Sequence, residues 1–347
     1  MIQKFTVSRD DSIYEAWPDL VLTSGGQLIC IFSECTHHRD RSFTRLVITR
    51  SNDRGRSWTA KEAFTAGTNG RPYWNCARIS KLKDNRLVVV ADMIYGEGEA
   101  GGRNVYWLGD PEGLRWEGPF ETPVTGIVPD KLCELESGRW LLSAHDRNQE
   151  GYLSQHLWYS DDQGTSWIGP VTVGSQTGLN LCEVSILPLP DGTLVAFMRE
   201  NSGEGWDCYK SISYDSGESW TPVHRMPLPG CHRPVSGLLN CGKILITYRF
   251  IQGGKGWVGF WTQNFFSAVT DIDSVKAVDR RQQWTRIMPI DYDRSPVSDL
   301  GYSGWVQFED GEIYIVNYIV DDAPNAQIRG YSLQEEDFLI EQSLAEL

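Results

Sequence analysis

The chain has 347 residues with 14 Trp, 14 Tyr, 12 Phe and 34 Gly, a composition that supplies a large core and excludes a disordered protein. The formal net charge of −14, from 32 basic and 46 acidic residues, opposes sequence-independent binding to nucleic acid or to an anionic membrane surface. We therefore expect neither partner. The length permits two average domains or one long closed all-β domain.

The N-terminal segment MIQKFTVSRDDSIYEAW lacks the apolar stretch of a secretory signal, and no apolar run approaches the roughly 20 residues of a membrane span. These features predict a soluble, cytoplasmic protein. The eight cysteines form no CxxC pair and mostly lie in apolar runs, which favours buried thiols over disulfides. The segment CTHHRD at 35–40 fits no common zinc spacing, so we expect no metal and no other cofactor.

An apolar strand, a short turn and a second apolar strand recur six times along the chain. The turns are separated by 59, 53, 54, 50 and 69 positions, which leaves room for four short strands in each repeat. Two of the turns have the Asp-Gly sequence of tight hairpins. The repeats therefore predict an all-β protein built from similar sheets. The marker residues of the turns are Gly26, Asn85, Gly138, Gly192, Gly242 and Gly311.

A second motif, S-x-D-x-G-x-x-W, follows three of these hairpins, with its serine 25, 22 or 21 residues after the turn glycine. The copies span 51–58, 160–167 and 213–220, and a fourth copy at 109–116 lacks Asp at the motif position. The aspartate is expected to bind its own turn backbone, the glycine to adopt a positive φ and the tryptophan to pack between sheets. We assign the motif a structural role and no catalysis.

This motif resembles the Asp box, or BNR repeat, of the sialidase superfamily. The resemblance covers most of the chain and implies a six-bladed β-propeller, a ring of four-stranded sheets formed as a single domain over residues 1–347. In such a ring the N-terminal segment Gln3–Ser8 is expected to pair with the strands of the last repeat, beyond Tyr318. That pairing would remove the exposed sheet edges.

The hairpins also predict one functional rim of the central channel. Residues equally far from an antiparallel turn face each other, so positions 9 before and 7 after each marker are expected at the same end of the channel. A rim on which charged groups and phenols converge is where catalysis is expected. The predicted facing pairs are Trp17 and Ser33, Cys76 and Asp92, Pro129 and His145, Glu183 and Arg199, Arg233 and Arg249, and Tyr302 and Tyr318.

The resemblance implies roles for some of these residues. The stretch containing Glu183 and Arg199 is similar to a sialidase segment in which a Glu supports the nucleophile and an Arg binds the substrate carboxylate. The last hairpin is similar to the segment with the tyrosine nucleophile, here Tyr302. Since a phenol is a poor nucleophile at neutral pH, Glu183 would act as its base. The acid/base aspartate of the family follows the first hairpin and matches Asp40 most nearly.

The chain departs from the family in its first repeat. Sialidases have Arg-Ile-Pro where this chain has Ala16-Trp17-Pro18, so the first of three carboxylate-binding arginines is absent. Losing one bidentate arginine is expected to weaken sialic-acid recognition severely. Tyr73 and two tryptophans offer ring faces that stack on a sugar. The candidate substrate-binding residues are Arg199, Arg233, Arg249, His145, Trp17, Trp74 and Arg78.

These observations favour a sialidase-like exo-glycosidase that acts on a glycan, with a sugar other than ordinary sialic acid. Two alternatives stay open. One is a polysaccharide lyase or other His-dependent glycan-cleaving propeller, in which His145 and a Tyr move the proton while an Arg neutralises a uronate. The other is a non-catalytic carbohydrate-binding propeller. A carbohydrate is the expected partner in each case, and the oligomeric state is left open.

Overall fold

The computed structural model describes residues 2–204, 206–251 and 263–338. Over these residues 24 β-strands form six four-stranded sheets in a ring, so the protein is a six-bladed β-propeller, as the repeats and the resemblance predict. In each of blades 1 to 5 the strands follow one another in the chain, and neighbouring strands are antiparallel.

The first three blades are built from the N-terminal half of the chain. After β1 (Gln3–Ser8), which belongs to blade 6, blade 1 contains β2 (Tyr14–Leu22), β3 (Leu28–His37), β4 (Asp40–Ser51) and β5 (Glu62–Ala63). Blade 2 contains β6 (Tyr73–Lys81), β7 (Leu87–Ile94), β8 (Gly102–Gly109) and β9 (Trp116–Thr125). Blade 3 contains β10 (Cys133–Glu134), β11 (Trp140–Arg147), β12 (Leu153–Ser160) and β13 (Ile168–Gly174).

The C-terminal half supplies the other three blades. Blade 4 contains β14 (Leu181–Pro188), β15 (Leu194–Glu200), β16 (Cys208–Ser213) and β17 (His224–Met226). Blade 5 contains β18 (Cys231–Leu238), β19 (Ile244–Ile251), β20 (Gln263–Thr270) and β21 (Arg286–Tyr292). Blade 6 contains β22 (Leu300–Gln307), β23 (Ile313–Ile319) and β24 (Gln327–Leu333), together with β1.

Helices are short and lie between or after strands. The α-helix α1 spans Ile272–Lys276, and 3-10 turns span Glu99–Gly101, Arg280–Gln282 and Glu335–Phe338. Among the residues that the structure describes, no helix has the length and apolar character needed to cross a membrane.

The N-terminal strand closes the ring. β1 pairs antiparallel with β24, so that Gln3 lies opposite Ser332 and Thr6 opposite Arg329. The prediction that Gln3–Ser8 pairs with the last blade is confirmed. Blade 6 therefore combines strands from both ends of the described chain. The pairing of β1 covers the edge of β24 that would otherwise be unpaired.

The core lies between neighbouring blades. Over the described ranges, six buried apolar clusters fill the six contacts between adjacent sheets. Successive residues of β3 point to opposite faces, so Phe32 packs with Tyr314 of blade 6, whereas Ile31 packs with Ile79 of blade 2. Both faces of each middle strand are therefore buried, which explains why these strands are almost continuously apolar.

The three intact Asp boxes have the structural role predicted for them. In the first, Gly55 has φ 82° and its N–H donates to Ser51 Oγ at 2.8 Å, while Asp53 accepts from the N–H of Ser57 at 2.9 Å. Trp58 Nε1 donates to the Gly55 carbonyl at 3.1 Å. The other two boxes repeat these contacts. Each box closes the turn between the third and fourth strands of its blade.

The fourth box keeps its aspartate function at a different position. Asp110 lies one residue before the motif position and accepts hydrogen bonds from the N–H groups of Leu114 at 3.0 Å and Arg115 at 2.9 Å. Trp116 Nε1 donates to the Gly113 carbonyl at 2.9 Å, as in the intact boxes. The motif position itself lacks Asp, as the sequence shows, and the neighbouring carboxylate satisfies the turn backbone instead.

Candidate active site

The inner strands carry an extra residue where they reach the rim of the channel. In β14, Cys182 lies opposite Arg199 and Ser185 lies opposite Phe197, so three steps on the inner strand match two on its partner. The strands β2, β6, β18 and β22 are interrupted in the same way. Such a β-bulge shifts the register by one residue and redirects a side chain.

The bulges correct the facing pairs that were predicted by counting residues from each turn, because that counting assumed regular antiparallel pairing. Glu183, Arg233 and Tyr302 are the extra residues themselves and have no direct partner across the hairpin. The observed facing pairs are Ala16 and Ser33, Cys182 and Arg199, His232 and Arg249, and Gly301 and Tyr318. His145 forms an isolated bridge with Ile127.

The bulged residues adopt a left-handed backbone conformation. The φ angles are 54° at Trp17, 48° at Glu183, 52° at Arg233 and 53° at Tyr302. For a residue with a Cβ atom this conformation costs roughly 1–2 kcal/mol, so it persists only where the surroundings enforce it. Strained residues of this kind cluster at functional sites, and here they recur at the same rim position of several blades.

Arg78 holds the bulges of blades 1 and 6 from below. Its side chain is 1% exposed, and its Nη1 and Nη2 atoms donate to the carbonyl oxygens of Pro18 at 3.3 Å and Ser303 at 3.0 Å. These carbonyls immediately follow the strained residues Trp17 and Tyr302. The guanidinium therefore stabilises the two bulges from inside the channel.

Arg233 binds main-chain carbonyls of blades 3 and 4 in a similar way. Its Nη1 donates to the Val184 carbonyl at 2.9 Å and its Nη2 to the Pro129 carbonyl at 3.1 Å. The sequence predicted that Arg78 and Arg233 contact substrate, and the structure corrects this interpretation. Both guanidinium groups are buried, donate to main-chain carbonyls through their terminal nitrogens and lie outside the cavity lining, so they support the rim from beneath it.

Four of the predicted site residues line one cavity. Glu183, Arg199, Arg249 and Tyr302 lie at the end of the channel around a cavity of about 1220 Å³. This volume exceeds the usual range for a small-molecule pocket of roughly 300–1,000 Å³. The bulges bring together residues from blades 4, 5 and 6 that are up to 119 positions apart in the chain.

A buried hydrogen-bond network connects these side chains. Tyr302 Oη donates to Glu183 Oε1, and Arg199 Nη1 donates to the same oxygen at 2.6 Å. The second terminal nitrogen of Arg199 donates to Asn201 Oδ1 at 2.5 Å. The Arg249 guanidinium carbon lies 5.4 Å from the centroid of the Tyr302 ring. A carboxylate, a phenol and two cations therefore meet within one site.

The charges of the network decide its protonation. Burial raises the pKa of Glu183, but the positive charges of Arg199 and Arg249 and the hydrogen bonds to the carboxylate outweigh burial and lower it to about 2. Burial and the adjacent Glu183 charge hold the pKa of Tyr302 well above its usual value of 10. The free protein therefore contains an ionised Glu183 and a neutral Tyr302 phenol.

Neither predicted stacking tryptophan presents a free ring face to the cavity. Trp17 is 2% exposed, and the Arg41 guanidinium carbon lies 3.9 Å from its ring centroid. Trp74 is 8% exposed and packs 5.4 Å from the ring of Trp107 in the core between blades 1 and 2. The structure corrects both predictions, because other side chains already cover these rings.

Asp40 and His145 also lie away from the cavity lining. Asp40 begins β4, and its carboxylate accepts the Ser42 N–H at 2.9 Å, which holds its pKa below the usual value and opposes proton donation. His145 is 3% exposed, with Nδ1 3.5 Å from the Glu183 backbone nitrogen, from which it accepts a hydrogen bond. The predicted acid/base role of Asp40 and substrate-binding role of His145 therefore do not fit this geometry.

The sequence did not predict a second cluster of polar side chains at the cavity, which is centred on Asp299. Asp299 accepts hydrogen bonds from His38 Nδ1 and Tyr14 Oη through Oδ2, and from Tyr318 Oη at 2.8 Å through Oδ1. His38 and Asp299 both line the cavity and are 261 positions apart. In the sequence, the histidines of the segment at 35–40 indicate at most a metal motif, which their spacing does not fit, and nothing points to Asp299.

The buried His145 predicts how stability depends on pH. Burial lowers its pKa to about 4, so between pH 4 and its usual value near 6.5 the unfolded chain binds more protons and stability falls on acidification. At pH 5 this amounts to about 2 kcal/mol, since 1.5 pH units cost 1.36 kcal/mol each. The free energies of unfolding of wild type and His145→Gln are measured in urea at pH 7 and at pH 5. Between these two pH values wild type should lose this much more stability than the variant. An unchanged difference would contradict the neutral, buried His145.

Residues 26–315 match the family described as the BNR repeat-like domain. The chain belongs to this family, within the sialidase superfamily. In the described part of this BNR repeat-like protein, no group of three or more His, Cys, Asp or Glu side chains is arranged to hold a metal ion.

Several known proteins resemble the chain in sequence or in fold. A sialidase of Micromonospora viridifaciens is 24% identical over 237 residues, which is 59% of this chain but 36% of that protein, so the chain spans just over a third of that relative's length. A Dyadobacter fermentans protein of unknown function superposes with a TM-score of 0.78 at 18% identity, covering 96% of this chain and 99% of the other. The Hadza microbial sialidase Hz136 gives 0.72 at 16% identity, covering 97% and 69%. At these identities the solved structures establish the fold of this BNR repeat-like protein, and its function is argued from the site.

Proposed function

We propose that this protein is a sialidase-type exo-glycosidase that hydrolyses a terminal acidic sugar, other than ordinary sialic acid, from a glycan. The hydrogen bond from Tyr302 to Glu183 at the cavity carries the proposal. Membership of a superfamily that contains glycoside hydrolases supports it. The two groups are the nucleophile and base that the resemblance assigns to these positions.

In this proposal Tyr302 attacks the anomeric carbon and Glu183 receives the phenolic proton. The low pKa of Glu183 and the high pKa of Tyr302 mean that phenolate is not populated in the free protein. The proton therefore moves as the bond to carbon forms, when the phenolic oxygen loses electron density and becomes strongly acidic. Arg199, which contacts Glu183 Oε1 at 2.6 Å, keeps the carboxylate ionised and aimed at the phenol.

A tyrosine nucleophile suits a substrate whose anomeric carbon bears a carboxylate. An anionic Asp or Glu would be repelled there, and sialidases are the exception to the usual two-carboxylate scheme for this reason. Arg249 can receive such a carboxylate. It lines the cavity and is 5% exposed, and its Nη1 donates to the Leu300 carbonyl at 3.2 Å, which holds the guanidinium in place. This combination supports an acidic sugar as the substrate class.

Conventional sialosides are expected to be poor substrates. The inner strand of blade 1 supplies Trp17 where the family has its first arginine, and Arg199 uses both terminal nitrogens on Glu183 and Asn201. A lost charge-assisted hydrogen bond is worth about 1.5–3 kcal/mol, so kcat/KM for an aryl sialoside should be about 10- to 100-fold below that for the best substrate. Efficient release of sialic acid from a simple aryl sialoside would show this inference to be wrong.

Product analysis tests the proposal as a whole. The protein is incubated with a panel of aryl glycosides, including sugars whose anomeric carbon carries a carboxylate, and with polyuronates. Hydrolysis adds the mass of water and releases a single terminal sugar. An unsaturated sugar product would instead indicate a lyase, and binding without any product would indicate a carbohydrate-binding propeller; either outcome refutes the proposal.

A further inference from the structure

The loop after the first hairpin contributes a histidine to the cavity. His38 follows β3 directly, its side chain is 37% exposed, and its ring lines the cavity. Its Nδ1 contacts Asp299 Oδ2. An ionised carboxylate can only accept hydrogen bonds, so Nδ1 carries the proton and Nε2 is the nitrogen left for a ligand.

Groups other than His38 also hold Asp299 in place. Two phenols, Tyr14 and Tyr318, donate to its carboxylate, and Arg249 Nη1 lies 3.9 Å from Oδ1. Burial raises the pKa of Asp299, but the hydrogen bond and charge interaction with His38, the charge of Arg249 and the hydrogen bond from Tyr14 outweigh burial and hold the pKa below its usual value. The carboxylate is therefore an ionised, immobile acceptor that sets the orientation of the imidazole.

The position of His38 is also determined by packing. The Trp17 ring lies edge-on to the imidazole at 5.3 Å between centroids, and Trp17 and Tyr302 both pack against Tyr318 at 6.0 and 6.4 Å. The tryptophan that replaces the first arginine of the family thus supports the histidine. The imidazole and the Tyr302 phenol line the same cavity and are connected through Tyr318.

We propose that His38 is the general acid and base of the reaction, acting through Nε2, and that Asp299 is its positioning residue. This inference rests on the proposed function. The family's acid/base aspartate matches Asp40 in this loop, but the Asp40 carboxylate is bound to Ser42 of its own turn, while His38 two residues earlier reaches the cavity.

The steps balance without a further reactant. As Tyr302 Oη bonds to the anomeric carbon, the bond to the leaving oxygen breaks, the proton of protonated His38 Nε2 passes to that oxygen, and the phenolic proton passes to Glu183. Water then attacks the anomeric carbon and gives its proton to His38 Nε2. The bond to Tyr302 breaks, and Glu183 returns the proton to the phenolic oxygen. The net reaction is hydrolysis, and every group returns to its starting state.

The leaving group provides the test. Two glycosides of the sugar that wild type hydrolyses are compared, one with 4-nitrophenol and one with benzyl alcohol as leaving group. Nitrophenolate can leave without being protonated, whereas the benzyl alkoxide needs a proton from a general acid. The turnover of His38→Gln should therefore fall by about 10²- to 10⁴-fold on the benzyl glycoside and by far less on the nitrophenyl glycoside. Asp299→Asn should shift the ratio in the same direction by a smaller factor, which a merely structural role would not do.

Three parallel variants separate the outcomes. His37→Gln alters the adjacent imidazole, whose Nδ1 accepts the Arg39 N–H at 3.3 Å, and should leave the ratio between the two substrates unchanged. If Asp40→Asn changes the ratio and His38→Gln does not, the His38 proposal is overturned. If Tyr302→Phe is inactive while His38→Gln keeps the wild-type ratio, the His38 proposal fails and the proposed function stands. If Tyr302→Phe remains active, the proposed function itself fails.

Nuclear magnetic resonance tests the contact without any substrate. The Nδ1 proton of His38 should appear as a strongly downfield imidazole resonance in wild type and disappear in both His38→Gln and Asp299→Asn. A spectrum in which Asp299→Asn leaves this resonance unchanged would overturn the role of Asp299.

Discussion

Replacing Tyr302 by Phe should reduce turnover by at least about 10²- to 10⁴-fold while leaving the fold nearly intact. The substitution keeps the ring, which is 7% exposed and packed against Tyr318, and removes the hydroxyl that donates to Glu183. Without this oxygen there is no nucleophile and no proton for Glu183 to accept. The measurement is kcat on the best glycoside from the product screen, alongside thermal unfolding.

The partner of Tyr302 should give a matching loss. Glu183→Gln keeps the side-chain shape but removes the base, so its turnover should fall by a similar factor. The double variant should cost little more than either single variant, because residues that act as a unit are not additive. Additive losses would indicate that the two groups act independently.

Tyr314→Phe is the matched control. Its phenol is also fully buried and donates to the Gly55 carbonyl at 2.7 Å, in the core between blades 6 and 1. Losing that hydrogen bond is expected to reduce stability by about 1 kcal/mol and to leave turnover unchanged. Near-normal activity of Tyr302→Phe on a verified substrate would refute the tyrosine mechanism.

Replacing Arg78 by Met should lower the free energy of unfolding by about 3–5 kcal/mol. The guanidinium is buried, donates to the Pro18 and Ser303 carbonyls, and has its Nε 3.4 Å from Asp19 Oδ2. Its removal leaves the Pro18 and Ser303 carbonyls without this buried donor, and it releases the strained backbone at Tyr302. Urea unfolding measures the first effect, and loss of turnover in the folded variant measures the second.

Arg50→Met separates burial from the contact itself. Arg50 also donates to two main-chain carbonyls of a neighbouring blade, those of Glu112 at 3.1 Å and Gly113 at 2.5 Å, but it is only partly buried and lies outside the cavity. We expect a cost of about 1 kcal/mol and unchanged activity, because water can replace the lost donor. Equal costs for the two variants would contradict the role assigned to Arg78.

Much of the architecture could be predicted because its signals are local. An Asp-Gly turn between two apolar strands closes a hairpin whatever surrounds it, and an Asp box closes its turn through contacts within eight residues. Repetition of these units made six blades, and the polar N-terminal strand then had one unpaired edge to occupy. Glu183, Arg199, Arg249 and Tyr302 reached a common cavity for the same reason, since all lie at one end of their hairpins.

The assignment of roles to Arg78, Arg233, Trp17 and Trp74 could not be made in this way. A bulge of one residue decides whether an arginine at the rim faces the cavity or lies beneath the rim. The bulged residues Trp17, Glu183, Arg233 and Tyr302 share no chemical feature that would reveal the bulge in the sequence. A non-glycine residue in the left-handed conformation has no signature in the sequence. The arginines that donate to the carbonyls beside Trp17, Glu183 and Tyr302 belong to other blades.

The sequence by itself determined the number of blades, the turns between their strands and the end of the channel at which charged residues collect. These depend on interactions within a hairpin or between consecutive strands. Only the tertiary structure decided that Asp299 meets His38, because this contact joins the loops of blades 6 and 1 across the closed ring. The predicted closure brings blades 6 and 1 side by side, but the contact between the two side chains depends on how their loops fold, which no local pattern encodes.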